Sequence, residues 1–121
     1  MVGIHHIALR VRDCAGSARF YAQAFGLLEV RRVEADEGLR AVWLSAGETV
    51  LMLEHSLRGD GPGEGSGHVL IFPTADLAAA EERFKALGIE VMDRTASTLY
   101  VRDPDGHRAG VSTFQFSETA S

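Results

Sequence analysis

Cysteine is almost absent from this sequence, since Cys14 is the only one in 121 residues. A single thiol cannot form a disulfide within the chain, and this scarcity is typical of proteins from a reducing compartment. Apolar runs long enough to span a bilayer are also missing, as is an opening segment of basic and then apolar residues. These absences predict a cytoplasmic protein with no membrane partner.

Clusters of basic residues are missing too. The chain has 12 lysines and arginines against 17 aspartates and glutamates, which gives a formal net charge of −5 at pH 7. Because nucleic-acid-binding proteins neutralise phosphates with basic patches, nucleic acid is not an expected partner. What remains is an ordinary globular composition, 45% hydrophobic and 24% charged, in a chain long enough for one domain.

A long internal repeat organises the chain. A histidine opens a strand pattern at His6 and again at His68, about half a chain length later. In each copy an aspartate follows, a helical pattern runs on, and a glycine ends it, at Gly26 and at Gly88. A repeat of this length indicates a duplicated structural unit.

Hydrophobic periodicity predicts one strand, one helix and three strands in each half. Asp13 and Asp76 are expected to cap the helices. The expected strands are residues 4–11, 27–33, 39–45, 49–55, 68–72, 89–92, 98–102 and 109–114. The expected fold is therefore α+β, with two βαβββ modules, each a curved mixed sheet with a helix on its convex side. Module 1 covers about residues 1–58, a glycine-rich linker 59–67 and module 2 about 68–116, and the tail from residue 117 is expected to fray.

Strand alternation predicts which side chains face a cavity. If the leucines of residues 49–55 face a helix, Glu54 lies on the same side as His6. The same rule places His68, Leu70 and Phe72 toward the cavity and Val69 and Ile71 away from it. His6, Glu54 and His68 would then converge, and two imidazoles with one carboxylate suit a divalent transition metal ion.

Each candidate also has an ordinary structural interpretation. His6 and Glu54 could be strand-end residues, and Trp43, Met52 and Tyr100 could be sheet packing rather than a pocket. Arg10 could meet an anionic substrate or pair with an acid, and Cys14 could have a lowered pKa or be a small helix residue. His5 and His55 are expected to be structural or solvent-facing, and His107, beside a hairpin turn, is expected at the surface.

The motifs together resemble a known family. Three features carry the resemblance. They are His6 with Leu-Arg-Val beginning three residues later and Asp13 ahead of a helix, the repeated βαβββ unit, and an Asp-Pro-Asp-Gly turn at 103–106 before the last strand. They resemble the vicinal oxygen chelate superfamily, which includes glyoxalase I, extradiol dioxygenases, fosfomycin-resistance enzymes and bleomycin-binding proteins. The resemblance covers nearly the whole chain.

The resemblance implies metal ligands at His6, Glu54 and His68, with Glu54 also moving the substrate proton. The family's fourth ligand, a glutamate, falls on Gly110, so a divalent ion (Ni, Zn, Co, Mn or Fe) is expected to be weakly held. Gly110→Glu is then expected to tighten metal binding. The implied substrate pocket contains Arg10, Met52, Leu70, Phe72, Tyr100 and Gly110.

Two functions are consistent with this pattern. The first is a metal-dependent enzyme, a glyoxalase-like lyase or isomerase or a dioxygenase, acting on a small oxygenated substrate. The alternative is a metal-free protein of the bleomycin-resistance type that sequesters a drug-like ligand, for which the acidic net charge suits a cation. A homodimer is expected, with His6 and Glu54 from one subunit and His68 from its partner, although one chain could also supply the whole site.

Overall fold

The computed structural model describes residues 3–57 and 67–116 and shows two four-stranded mixed sheets with one helix each. The first module consists of β1 (His6–Arg10), α1 (Cys14–Phe25), β2 (Leu28–Ala35), β3 (Gly38–Ala46) and β4 (Thr49–Glu54). The second consists of β5 (Leu70–Pro73), α2 (Leu77–Ala86), β6 (Asp93–Arg94), β7 (Thr98–Arg102) and β8 (Arg108–Ser112). The predicted α+β fold with two βαβββ modules is confirmed.

Both sheets have the same strand order. The orders are β1-β4-β3-β2 and β5-β8-β7-β6, so the first strand of each module lies beside the last. The pairs β1–β4 and β5–β8 are parallel, and the other neighbours are antiparallel. The duplicated sequence thus has a duplicated topology.

Local signals position both helices. The side chains of Asp13 and Asp76 accept hydrogen bonds from the backbone N–H groups of Gly16 and Ala79, each at 3.1 Å, which confirms the predicted caps. Gly26 ends α1 in the left-handed conformation, at φ 77°. The side chains of residues 89 and 91 pack against the core, and strand pairing begins only at β6, so the predicted strand at 89–92 is wrong.

The inner faces of both sheets and the two helices share one hydrophobic core. Tyr21 and Phe84, one from each helix, are fully buried there. Phe25 of α1 stacks on Phe72 of β5 with ring centroids 4.5 Å apart, so aromatic packing crosses between the modules. No helix of the described residues is long and apolar enough to cross a membrane.

A buried carboxylate connects the β7–β8 turn to the first module. Asp103 is only 5% exposed, and one of its oxygens accepts a hydrogen bond from the Tyr21 hydroxyl at 2.8 Å. The other oxygen accepts from the backbone N–H groups of Asp105 and His107, both at 2.9 Å. A buried carboxylate is stable only when it is hydrogen-bonded in this way.

Asp105 and His107 extend the same junction. Asp105 accepts from the backbone N–H and the guanidinium Nε of Arg12, both at 3.0 Å, and from the Ser17 hydroxyl. His107 Nε2 lies 2.9 Å from the carbonyl oxygen of Arg10, so this nitrogen carries the proton. The prediction that His107 lies at the surface is wrong, because its ring is buried between the end of β1 and the start of β8.

The Tyr21–Asp103 contact makes the stability of the fold depend on pH in the alkaline range. Burial and the neighbouring Asp103 carboxylate raise the pKa of the Tyr21 phenol. Below about pH 10 both folded and unfolded chains keep the phenol proton, and above it only the folded chain does. The free energy of unfolding should therefore fall as pH rises above 10, by about 1.4 kcal/mol per pH unit from this group. Denaturant titrations at several pH values measure the slope, and Tyr21→Phe should lack this contribution; equal slopes would contradict the prediction.

Candidate ligand-binding site

Each sheet has one face against the core and one face turned away from the helices, called here its open face. In the second sheet, Leu70, Val101 and Ala109 are neighbours in register and belong to the core. Since side chains alternate along a strand, the residues between them lie on the open face. These residues are Ile71, Pro73, Thr98, Tyr100, Arg102, Arg108, Gly110 and Ser112.

A cavity of about 730 Å³ lies on the open face of the second sheet. Its volume is within the range of small-molecule sites. The hydroxyl of Thr98 donates to that of Ser112 at 2.9 Å in its wall. The described residues that line it are Ile71, Phe72, Pro73, Ser97, Thr98, Tyr100, Ser112, Phe114, Gln115 and Phe116, and none of them is a histidine, cysteine, aspartate or glutamate.

Gly110 lies on this face directly opposite Tyr100. A Cβ atom at this position would overlap the carbonyl oxygen of Leu99 and would lie 3.2 Å from the Cδ1 atom of Ile71. The close approach of β7 to β8 therefore requires a glycine here. Any side chain here must first displace β7, so Gly110→Glu is expected to lower stability, while its expected effect on metal binding stays a prediction.

Leu70 and Phe72 point the other way from the prediction. Both pack against the core, whereas Ile71 is 39% exposed and lines the cavity. Phe72 also borders the cavity. Residues 69–72 are all apolar, so alternation could not decide which pair faces inward, and the choice made from sequence is wrong by one position.

The open face of the first sheet carries His6, Ala8, Arg10, Val50, Met52 and Glu54, as predicted. Trp43 pairs with Met52 on this face, and the Arg31 guanidinium lies 5.2 Å from the centre of the Trp43 ring. The indole Nε1 is buried and has no hydrogen-bond partner within the described part of the chain. Arg10 is exposed and donates to the carbonyl oxygen of Leu57 at 3.4 Å.

The residues expected to bind metal do not converge within one chain. His6 is opposite Val50 in the β1–β4 register, and Glu54 is opposite Arg10. Four residues of strand therefore separate the levels of His6 and Glu54, about 13 Å at 3.3 Å per residue. Side chains that stand perpendicular to a sheet do not share one ion over that span.

His68 lies beside another histidine. Its ring centroid is 5.6 Å from that of the buried His107, at the module junction. In residues 3–57 and 67–116, no three histidine, cysteine, aspartate or glutamate side chains are close enough to hold an ion. The donor set of a single chain therefore does not fit the metal site that the resemblance implies.

Cys14 has no sign of an activated thiol. Its side chain is buried in the first turn of α1, and its Sγ atom lies 3.4 Å from the carbonyl oxygen of Arg40. Burial is the main cause that raises the pKa of this thiol. The alternative of a lowered pKa is therefore wrong, and Cys14 is a small core residue.

The cavity-lining residues Ile71, Thr98, Ser112 and Phe114 were missed by sequence reasoning. The hydroxyls alternate with core residues along β7 and β8, so the signal was present in the pattern of these strands. It was weak because serine and threonine are equally common on solvated strand faces.

Fold and site together define a protein with paired βαβββ modules and a ligand-sized cavity on a sheet face. Residues 3–111 match the sequence profile of the Glyoxalase/Bleomycin resistance protein/Dioxygenase superfamily. Because the match covers most of the chain, this protein belongs to that superfamily.

Three relatives illustrate the similarity. A lactoylglutathione lyase of Pseudomonas aeruginosa is 29% identical over 137 aligned residues, which cover 85% of this chain and 77% of the relative. The crystal structure of a lactoylglutathione lyase from Agrobacterium tumefaciens is 28% identical, with a TM-score of 0.69 and coverage of 91% of this chain and 92% of that one. The E126Q mutant of the fosfomycin resistance protein FosX from Listeria monocytogenes, complexed with Mn(II) and 1S,2S-dihydroxypropylphosphonic acid, shares the fold at 20% identity. Its TM-score is 0.79, with coverage of 100% of this chain and 99% of that one.

The close packing at Gly110 can be tested directly. Gly110→Ala should lower the free energy of unfolding by about 1–3 kcal/mol, because the added Cβ must push β7 away from β8. Chemical denaturation measures the change. Gly3→Ala is a matched control, since a Cβ there meets nothing within 4 Å, and it should change stability by less than about 0.5 kcal/mol. Equal stability of the Gly110 variant and the parent protein would contradict the argument.

Proposed function

We propose that this protein binds a small, mainly apolar molecule on the open face of its second sheet, without a resident metal ion. The observation that carries this proposal is the lining of the cavity, which combines apolar and aromatic side chains with a few hydroxyl groups. Such a lining buries an apolar ligand and orients it with a small number of hydrogen bonds. It offers no imidazole or carboxylate to an ion.

The superfamily description supports this proposal, since it includes bleomycin resistance proteins beside enzymes. The fold alone therefore does not require catalysis. The function we propose is sequestration: a ligand held in the cavity is kept from another target, and no bond in it needs to change. The side chains that we assign to the site are Ile71, Thr98, Tyr100, Ser112 and Phe114.

The neutral dye N-phenyl-1-naphthylamine provides the test, because its fluorescence rises in apolar sites. Chelator-treated protein should bind it at micromolar concentration, and added divalent metal should not change the affinity. Ile71→Trp should weaken binding at least tenfold by filling the cavity. Val30→Trp is the matched control, since Val30 is exposed on β2 and is not a lining residue. Absence of dye binding, or equal loss in both variants, would contradict the proposal.

A second candidate is a metal-dependent lyase, favoured by the 29% identity to a lactoylglutathione lyase. It requires a homodimer in which a donor group of one subunit's first module approaches the partner's second module, because His6 and Glu54 of one chain do not share an ion. Exposed apolar side chains on both open faces, Leu28 on the first and Ile71 on the second, are consistent with such pairing. The donor set described above does not fit the metal, so we assign no catalytic step to these residues.

Metal titration separates the two candidates. Chelator-treated protein is titrated calorimetrically with nickel, zinc, cobalt and manganese. Light scattering measures its oligomeric state in parallel. The metal-free function predicts dissociation constants weaker than about 100 μM and no difference between the parent protein and His6→Ala. Uptake of one ion per site by a dimer, abolished in His6→Ala and retained in His55→Ala, would instead support the lyase.

A further inference from the structure

Two arginines lie directly opposite each other at one end of the cavity face. Arg102 of β7 and Arg108 of β8 are partners in the antiparallel register. Their neighbours Val101 and Ala109 are in the core, so both arginine side chains leave their strands toward the open face. The Arg102 side chain also borders a second pocket, beside Glu90 and Pro104. Like charges placed opposite each other across two strands destabilise a sheet. This pair therefore has a cost that an anion on the same face would remove.

The two guanidinium groups are held in place by uncharged partners. Arg102 Nη1 donates to the carbonyl oxygen of Gly106 at 2.7 Å, and the Arg108 guanidinium lies 5.2 Å from the centre of the Tyr100 ring. Neither arginine forms an ion pair with a carboxylate of residues 3–57 or 67–116. Asp93 of β6 is directly opposite Tyr100, and its carboxylate accepts a hydrogen bond from the backbone N–H of Arg94.

Tyr100 joins the arginines to the cavity. Its ring is part of the cavity lining and also the surface on which the Arg108 guanidinium stacks. Because Gly110 has no side chain, nothing on β8 separates Arg108 from the cavity on this face. Arg108 and Gly110 are two positions apart on β8, which corresponds to about 7 Å along the strand. An aromatic ring system over Tyr100 spans that distance.

We propose, on the basis of the binding function above, that the ligand is an amphipathic anion. Its carboxylate or other oxyanion group lies at the Arg102–Arg108 pair, and its apolar or aromatic body covers Tyr100 and reaches Ile71. Guanidinium groups suit this role because they bind oxyanions through paired N–H donors. The local charge of the site thus opposes the net charge of −5, and the ligand is not the cation expected from composition.

Two dyes with one aromatic skeleton test the proposal. 8-Anilino-1-naphthalenesulfonate carries a sulfonate that N-phenyl-1-naphthylamine lacks. Chelator-treated protein should bind the anionic dye about tenfold more tightly than the neutral one, a factor that corresponds to one charge-assisted hydrogen bond. Added salt should weaken the binding of the anionic dye and leave the binding of the neutral dye unchanged. Arg108→Gln and, separately, Arg102→Gln should reduce the preference to within about twofold, while Arg108→Lys should keep part of it.

Arg19→Gln is the matched control. It removes the same charge, and Arg19 is exposed on α1, away from the open face. It should leave the tenfold preference unchanged. Equal affinities of the two dyes for the parent protein would overturn the proposal while leaving the binding function intact, and binding of neither dye would overturn both. Equal effects of the Arg19 and Arg108 variants would mean a general charge effect and would also overturn it. Dissociation of an oligomer by the arginine substitutions, without a change in dye preference, would assign the pair to a subunit contact instead.

Discussion

The buried carboxylate of Asp103 is the group on which the relative placement of the two modules depends. It receives hydrogen bonds from the Tyr21 hydroxyl in one module and from the backbone of its own turn in the other. Removal from water makes each of these donors necessary, since a buried charge without partners is very unfavourable. The turn that contains Asp103 begins just after β7 and leads into β8, so the same junction positions the strands that carry the cavity.

The two modules have one topology but chemically different open faces. The first carries His6, Trp43 and Glu54, and the second carries Tyr100, Gly110 and two arginines. Gly110 accounts for much of this difference, because the approach of β7 excludes any side chain at the position where a metal-binding carboxylate would be expected. The superfamily fold is thus kept, while residues 3–57 and 67–116 of one chain do not assemble the donor atoms of its implied metal site. Function in such a fold depends on the side chains of the site and not on the scaffold.

Charge is distributed unevenly between the whole protein and its cavity face. The chain has an excess of acids, yet Arg102 and Arg108, which form no ion pair with a carboxylate of residues 3–57 or 67–116, lie next to Tyr100 of the cavity lining. Interactions between exposed charges fall off within about 10 Å at ordinary salt concentrations. The local arginines therefore determine the ligand charge that the cavity favours, and the net charge does not.

The sequence by itself determined the order of the elements, the helix caps and every element except the strand expected at 89–92, because these depend on contacts between residues close in the chain. His6, Arg10, Met52 and Glu54 share a face as alternation predicts, and Gly110 lies opposite Tyr100. Tertiary structure alone decided the direction of Leu70 and Phe72, since a run of four apolar residues has no alternation to read. It also decided the register that separates His6 from Glu54 and the burial of His107 against the end of β1. Register and burial depend on partners that are distant in sequence, and a one-residue change in pairing moves a side chain to the opposite face.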